Sequence, residues 1–142
     1  MKWGGSSVEL TVTSIALITQ NTGIATVEEW AKLNLNAPNS RVLRLTRVRR
    51  DTAVTLEEAV LPLERFPGLI ADASDITELA RCYGLSLGHA TERVGIVPAT
   101  VEVAKHLGIA AGADVMKLDR IVETIDGRPV EWRVAFRKLE PR

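Results

Sequence analysis

The segment ATVEEWAKLNL at 25–35 is answered by ATVEVAKHLGI at 99–109, offset by 74 positions. A second match follows, VLRLTR at 42–47 with VMKLDR at 115–120, offset by 73. A short helix and then a strand that recur at nearly one spacing make the chain two similar units in tandem. Each unit reads as a strand, a short helix and a hairpin. The strands of both units can then join one antiparallel sheet with helices on one face, an internally duplicated α+β fold. A chain of 142 residues has the length of one domain, so the two units share a core.

The local signals place the elements. Residues 8–19, VELTVTSIALIT, are rich in β-branched types and read as a strand. Thr26 to Glu29 has the form of a capping box opening a helix, and Asn34 closes it. Strands are expected at 41–50 and 54–61, joined by a turn near Asp51 and Thr52, and ERFPGL then breaks the pattern as a loop over the surface. A second helix runs from Asp75 to Tyr83, with Asp75 and Glu78 as an acidic capping box and Gly84 at the left-handed stop. A strand at 90–97 precedes a third helix, capped by Thr100 and ended by Gly108. Strands at 114–125 and 130–138 close the chain, joined through Asp126 and Gly127, a hairpin signal.

Composition excludes several functions. Lys plus Arg equals Asp plus Glu at 18 each, so no global positive field draws the chain to nucleic acid, and a role on DNA would need a part outside this sequence. No apolar run approaches the roughly 18 residues that span a bilayer, and MKWGGSS lacks a signal peptide's apolar core, so a soluble cytoplasmic protein is expected. Residues 1–7 read as a flexible lead-in or expression remnant, and 8–142 as the domain. The single Cys82 permits no internal disulfide and reads as a partly packed thiol. His89 and His106 have no ligand spacing with each other or with Cys82, so neither metal nor cofactor is expected. Trp30 and Trp132 read as core or dimer-face anchors.

The charge is concentrated in one strand. RVLRLTRVRR at 41–50 carries five arginines. Alternate strand residues share a face, so Leu43 and Leu45 are followed on one face by Arg47 and Arg49. On the repeated strand Met116, Leu118 and Val122 share a face with Arg120, which the repeat aligns with Arg47. An arginine among apolar neighbours cannot discharge, so it needs an anion, a carboxylate partner or water. Arg47 and Arg49 suit a shared carboxylate or phosphate. Alternatively, each meets a cross-strand acid, Glu57 or Glu58 on the next strand or Glu131 on the last. Arg41, Arg44 and Arg50 belong with such surface pairs.

In this order, VLRLTRVRR, EEAVLPLERFPGL, ITELARCYGL, TERVGIVPATVEVAKHLGI and DVMKLDRIVETIDGRPVEW resemble the UTRA domain of HutC-type transcriptional regulators of the GntR family. The most specific parts are LP..RFPGL at 61–69 and L.R.....DG.PVE at 118–131, and the likeness runs from about residue 8 to near the end. The resemblance implies a chorismate lyase-like, internally duplicated sheet and a non-enzymatic effector-binding domain that forms a homodimer. Such a domain acts on DNA through an N-terminal winged helix-turn-helix that this chain lacks. In the family's sugar-phosphate sensors an arginine pair holds the anionic group, which implies that role for Arg47 and Arg49. Acids matching Glu57 and Glu131 accept hydrogen bonds from ligand hydroxyl or amino groups, and Arg120 belongs to the same set through the repeat.

Two departures shape the expected ligand. Those sensors carry a serine at the start of the middle helix where this chain has Asp75, with Ser74 beside it. A helix end already occupied by a carboxylate favours a further anion much less. A tyrosine usual near the chain end is replaced around Phe136 and Arg137. The expected effector is therefore a carboxylate- or amino-bearing metabolite, such as an amino-acid catabolite. Arg47→Met is expected to abolish its binding and leave the fold intact.

Two other functions fit the same fold. One is an enzyme of the chorismate-lyase type, with an arginine gripping a carboxylate and a glutamate as acid. The other is a dimerisation module whose pocket has closed.

Overall fold

The computed structural model describes residues 14–69 and 75–139, so the expected lead-in at 1–7 and Ser74 lie outside the described residues. The elements are β1 (Ser14–Ile24), α1 (Val27–Lys32), β2 (Arg41–Arg50), β3 (Val54–Pro62), α2 (Ile76–Cys82), β4 (Leu87–Pro98), α3 (Val101–Leu107), β5 (Asp114–Thr124) and β6 (Pro129–Lys138). They form one six-stranded sheet in the order β1-β2-β3-β6-β5-β4. Every neighbouring pair is antiparallel. The order is symmetric about the β3–β6 seam. The first half, β1-α1-β2-β3, is repeated by β4-α3-β5-β6, as the duplicated segments require, and α2 falls between the halves.

The helices do not share one face, contrary to the arrangement expected from sequence. Ile76, Leu79 and Ala80 of α2 pack with Leu43, Leu45, Ala59 and Leu61. Val103, Ala104 and Leu107 of α3 pack on Val48 and Leu56, and Leu33 and Leu35 after α1 pack on Val42. The reason lies in β2, where Val42, Leu43, Leu45 and Val48 are all buried although they alternate between faces. A strand that is apolar on both sides must be covered on both.

The caps explain where the helices start. Thr26 and Glu29 exchange both bonds of a capping box, Glu29 N–H to Thr26 Oγ1 at 3.1 Å and Thr26 N–H to Glu29 Oε1 at 2.9 Å. Asp75 makes only half of the expected box. Its carboxylate accepts from the Glu78 amide at 3.1 Å, while the Glu78 side chain turns instead to Arg81. Asn34 and Gly84 take left-handed backbone just after their helices, at φ 49° and 67°, and Gly108 caps α3 at 70°.

Other expectations shift. Residues 8–13 lie outside the described residues, and β1 continues past Thr19 to Ile24. β4 begins at Leu87, three residues before the expected start. The ERFPGL loop is no surface strap, because Phe66 is fully buried in the α2-side core and meets Tyr83 edge to face at 5.2 Å. Cys82 is exposed and not partly packed, since α2 turns Ile76, Leu79 and Ala80 inward. Among the described residues, no helix is long and apolar enough to cross a membrane.

Candidate functional site

The register of the central strands sets three rows of side chains on the α2-covered face. Arg49, Thr55 and Arg137 stand opposite one another across β2, β3 and β6. The next row is Arg47, Glu57 and Ala135, continued by Leu118 of β5. The third sets Ala59 beside Arg133, Arg133 beside Arg120, and Arg120 beside Glu92 of β4. Charged groups thus border a small apolar floor, Ala135 and Leu118. A cavity of about 370 Å³ opens over it. Asp75, Ile76 and Thr77, where α2 begins, form another wall.

Four of the six expected residues, Arg49, Glu57, Asp75 and Arg120, line this cavity. Arg47 and Glu131 do not. Both are 1% exposed and lie beneath its walls. Arg47 Nε donates to Glu57 Oε1 at 2.8 Å, and Arg47 Nη2 to Glu131 Oε2 at 3.5 Å. The cross-strand pairing that sequence left open is therefore formed at Arg47. Arg49 Nε donates to the second oxygen of Glu57 at 3.1 Å while its side chain remains 18% exposed. Glu58 points to the opposite face, beside Val60 and Trp132. Arg44 is on that face too, forked onto Glu29 through Nε at 2.7 Å and Nη2 at 2.8 Å.

Burying Arg47 changes what its removal does. With Met at 47, Glu131 would lose a cationic partner in a site where water cannot replace it. Arg47→Met is therefore expected to disturb the fold, which makes Arg49 the better probe of the cavity.

Sequence reasoning missed Arg133 and Arg137, which also line the cavity. The signal was present, since Glu131, Arg133, Ala135 and Arg137 are alternate residues of β6 and share a face. Arg133 Nη1 lies 3.9 Å from Glu57 and its Nε 4.0 Å from Glu131. Arg137 Nη2 donates to Thr55 Oγ1 at 3.3 Å, but its buried Nε has no hydrogen-bond partner among the described residues.

The two glutamates respond to these surroundings in opposite directions. Burial alone would raise Glu57, but hydrogen bonds from Arg47 and Arg49, with the charges of Arg47 and Arg133, outweigh it and hold the carboxyl below its ordinary value. At Glu131 burial dominates the nearby arginine charges and pushes the carboxyl up. Among the described residues, no group of three or more His, Cys, Asp or Glu side chains could hold a metal ion. His106 sits 3.1 Å from Glu102 and His89 3.6 Å from Glu123, both away from the cavity.

Solved structures share this architecture. The chain superposes on YydK of Bacillus subtilis, described as a possible transcriptional regulator, with a TM-score of 0.81 at 17% identity, covering 94% of this chain and 64% of that one. This chain thus spans less than two thirds of YydK. The effector domain of PhnF from Mycobacterium smegmatis gives 0.81 at 19% identity, covering 92% and 83%. A GntR-family transcriptional regulator from Enterococcus faecalis gives 0.77 at 22%, covering 91% and 98%. At such identities the likeness establishes the fold, the duplicated sheet of those domains. The sequence itself carries the rest: residues 11–138, from before β1 to the last residue of β6, match the UTRA domain, and the chain belongs to that family.

Proposed function

We propose that this UTRA domain is the small-molecule sensor of a GntR-type transcriptional regulator, and that the cavity over Ala135 and Leu118 receives the effector. The observation that carries this reading is the cavity wall itself, where Arg49, Arg120, Arg133 and Arg137 converge with Glu57 on a small apolar floor. An anionic effector would be gripped by guanidinium forks, and Glu57 would accept from a ligand hydroxyl or amino group. Asp75 caps α2 with its own carboxylate, which favours an amino group more than a phosphate at that wall. The domain works in the cytoplasm as a homodimer and reaches DNA through a separate module. An effector that binds one dimer arrangement better than another shifts DNA binding by that difference in affinity.

Among the described residues, the arrangement supports the sensor reading more than the enzymatic one. Glu131, the carboxyl raised by burial, lies below the cavity paired with Arg47, a poor position for a group that would pass a proton to a bound molecule.

The test is a thermal-shift screen against sugar phosphates, amino acids, and aromatic and dicarboxylic acids, run in parallel on Arg49→Met. A stabilising ligand must raise the melting temperature, because it binds only the folded state. A hit lost in a folded Arg49→Met variant supports the reading. A hit that survives unchanged moves the site elsewhere, and a flat response across the panel favours the closed dimerisation module.

A further inference from the structure

The duplicated halves treat one position differently. The repeat aligns Arg120 with Arg47. Across the sheet Arg47 faces Glu57, whereas Arg120 faces Arg133. In the first half the arginine is neutralised by a carboxylate of the protein. In the second half a second arginine stands where that carboxylate would be. Like charges directly opposed on neighbouring strands destabilise a sheet, and the arrangement is relieved when an anion lies between them.

The acids nearby do not supply it. Glu57 is held by Arg47 and Arg49, and its contact with Arg133 is long at 3.9 Å. Glu131 serves Arg47, and its distance to Arg133 is 4.0 Å. Glu92 is the cross-strand neighbour of Arg120 on β4 but makes no ion pair with it, and Arg120 has no hydrogen-bond or ion-pair partner among the described residues. At the other end of the floor, Arg137 has only Thr55 among the described residues, and Arg49 shares Glu57. The cavity therefore has cations at two ends. Arg49 and Arg137 stand in one row and Arg133 and Arg120 in another, four residues along β6 and so about 13 Å apart at the backbone. Between them lie Ala135 and Leu118, which offer a ligand contact but no polar partner.

Building on the effector-site reading above, we propose that the effector is a short-chain dicarboxylate. One carboxylate lies between Arg120 and Arg133 in place of the missing protein acid, and the other lies at Arg49 and Arg137. The carbon chain crosses Ala135 and Leu118. Arg120 is the residue that sets the requirement for a second acid, because it alone among these four has neither a hydrogen bond nor an ion pair among the described residues and feels Glu131 only as a charge at longer range.

The experiment is isothermal titration calorimetry of the 142-residue chain with succinate, glutarate and adipate, each paired with its monomethyl ester, on wild type and Arg120→Met. A diacid should bind on the order of tenfold or more tighter than its ester, the worth of one charge-assisted fork. In Arg120→Met that preference should fall to about threefold or less, with the melting temperature of the unligated chain equal or higher because a like-charge contact has gone. An ester that binds wild type as well as its diacid overturns the two-acid requirement. A preference that persists in Arg120→Met overturns the assignment to Arg120. If neither diacid nor ester binds while a sugar phosphate or amino acid stabilises the chain in the thermal-shift screen above, the dicarboxylate is wrong and the sensor reading stands; if that screen is flat as well, the sensor reading fails too.

Discussion

Arg47 and Glu131 meet across the seam between the two halves, Nη2 to Oε2 at 3.5 Å, although 84 positions separate them in sequence. The contact passes over β3, so Glu57 and Glu131 are tied through one guanidinium that is 1% exposed.

Arg47→Met should therefore lower stability by about 3–5 kcal/mol, the usual cost of stranding one member of a buried ion pair. Arg49→Met, whose side chain is 18% exposed, should cost less than half of that. Urea denaturation of the two variants measures the difference. Equal midpoints would show that the buried pair is not a structural link.

The raised carboxyl of Glu131 has a defined sign in stability. A group whose folded pKa exceeds its unfolded value contributes stability below the unfolded value and loses it as pH rises through the folded one. Wild type should thus lose ground to Glu131→Gln as pH climbs above 4.5. Glu57, held low, acts in the opposite sense, and its contribution fades as pH falls through its folded value. Melting curves of wild type and Glu131→Gln across a pH series separate the two. A constant gap between them would remove the argument for a raised Glu131.

Gly88, the second residue of β4, sits in a bulge between Leu87 and His89 against the end of β5. A Cβ there would sit 2.8 Å from both the Ile125 Cα and the Thr124 carbonyl oxygen, backbone atoms that cannot swing aside. Gly88→Ala should cost about 1–3 kcal/mol, as overpacking does. Gly95→Ala on the same strand meets nothing within 4 Å and should be neutral or slightly stabilising. Parallel denaturation curves are the check, and a harmless Gly88→Ala would mean that the strand end can shift.

Phe66 is the anchor of the loop between β3 and the α2-side core. Phe66→Ala should cost about 3–5 kcal/mol, and it should also loosen Tyr83, whose ring meets it edge to face and whose hydroxyl donates to the Pro67 carbonyl at 3.1 Å. Loss of near-ultraviolet signal from Tyr83 with retained far-ultraviolet signal would mark local loosening. Unchanged stability would return the loop to the surface.

The duplicated sheet could be read from sequence because local signals and the repeat agreed. Thr26, Thr100 and the Asp126-Gly127 turn each dictate a boundary through backbone chemistry within a few residues. The placement of helices on two faces was also written in β2, in the apolar pairs of opposite parity, but a periodicity search along one face passes over them. Cys82 belongs to a helix but lies off its buried side, which helical context and a tyrosine neighbour do not reveal. At the site, alternation brought Leu43, Leu45, Arg47 and Arg49 to one face correctly. It could not order them by depth, since whether an arginine lines a cavity or underlies it depends on what α2 covers. Arg133 and Arg137 were overlooked because the recognised motif ends at Glu131, although the same alternation continues through them.

The seam between β3 and β6 is held by six paired positions, Thr55 to Val60, fewer than the nine that join β2 to β3. The cavity walls straddle that narrower join, with Arg49 and Glu57 from one repeat and Arg120, Arg133 and Arg137 from the other. A molecule seated there holds both repeats at once. A guest there would brace the angle between the two repeats, as a keystone fixes two leaning stones.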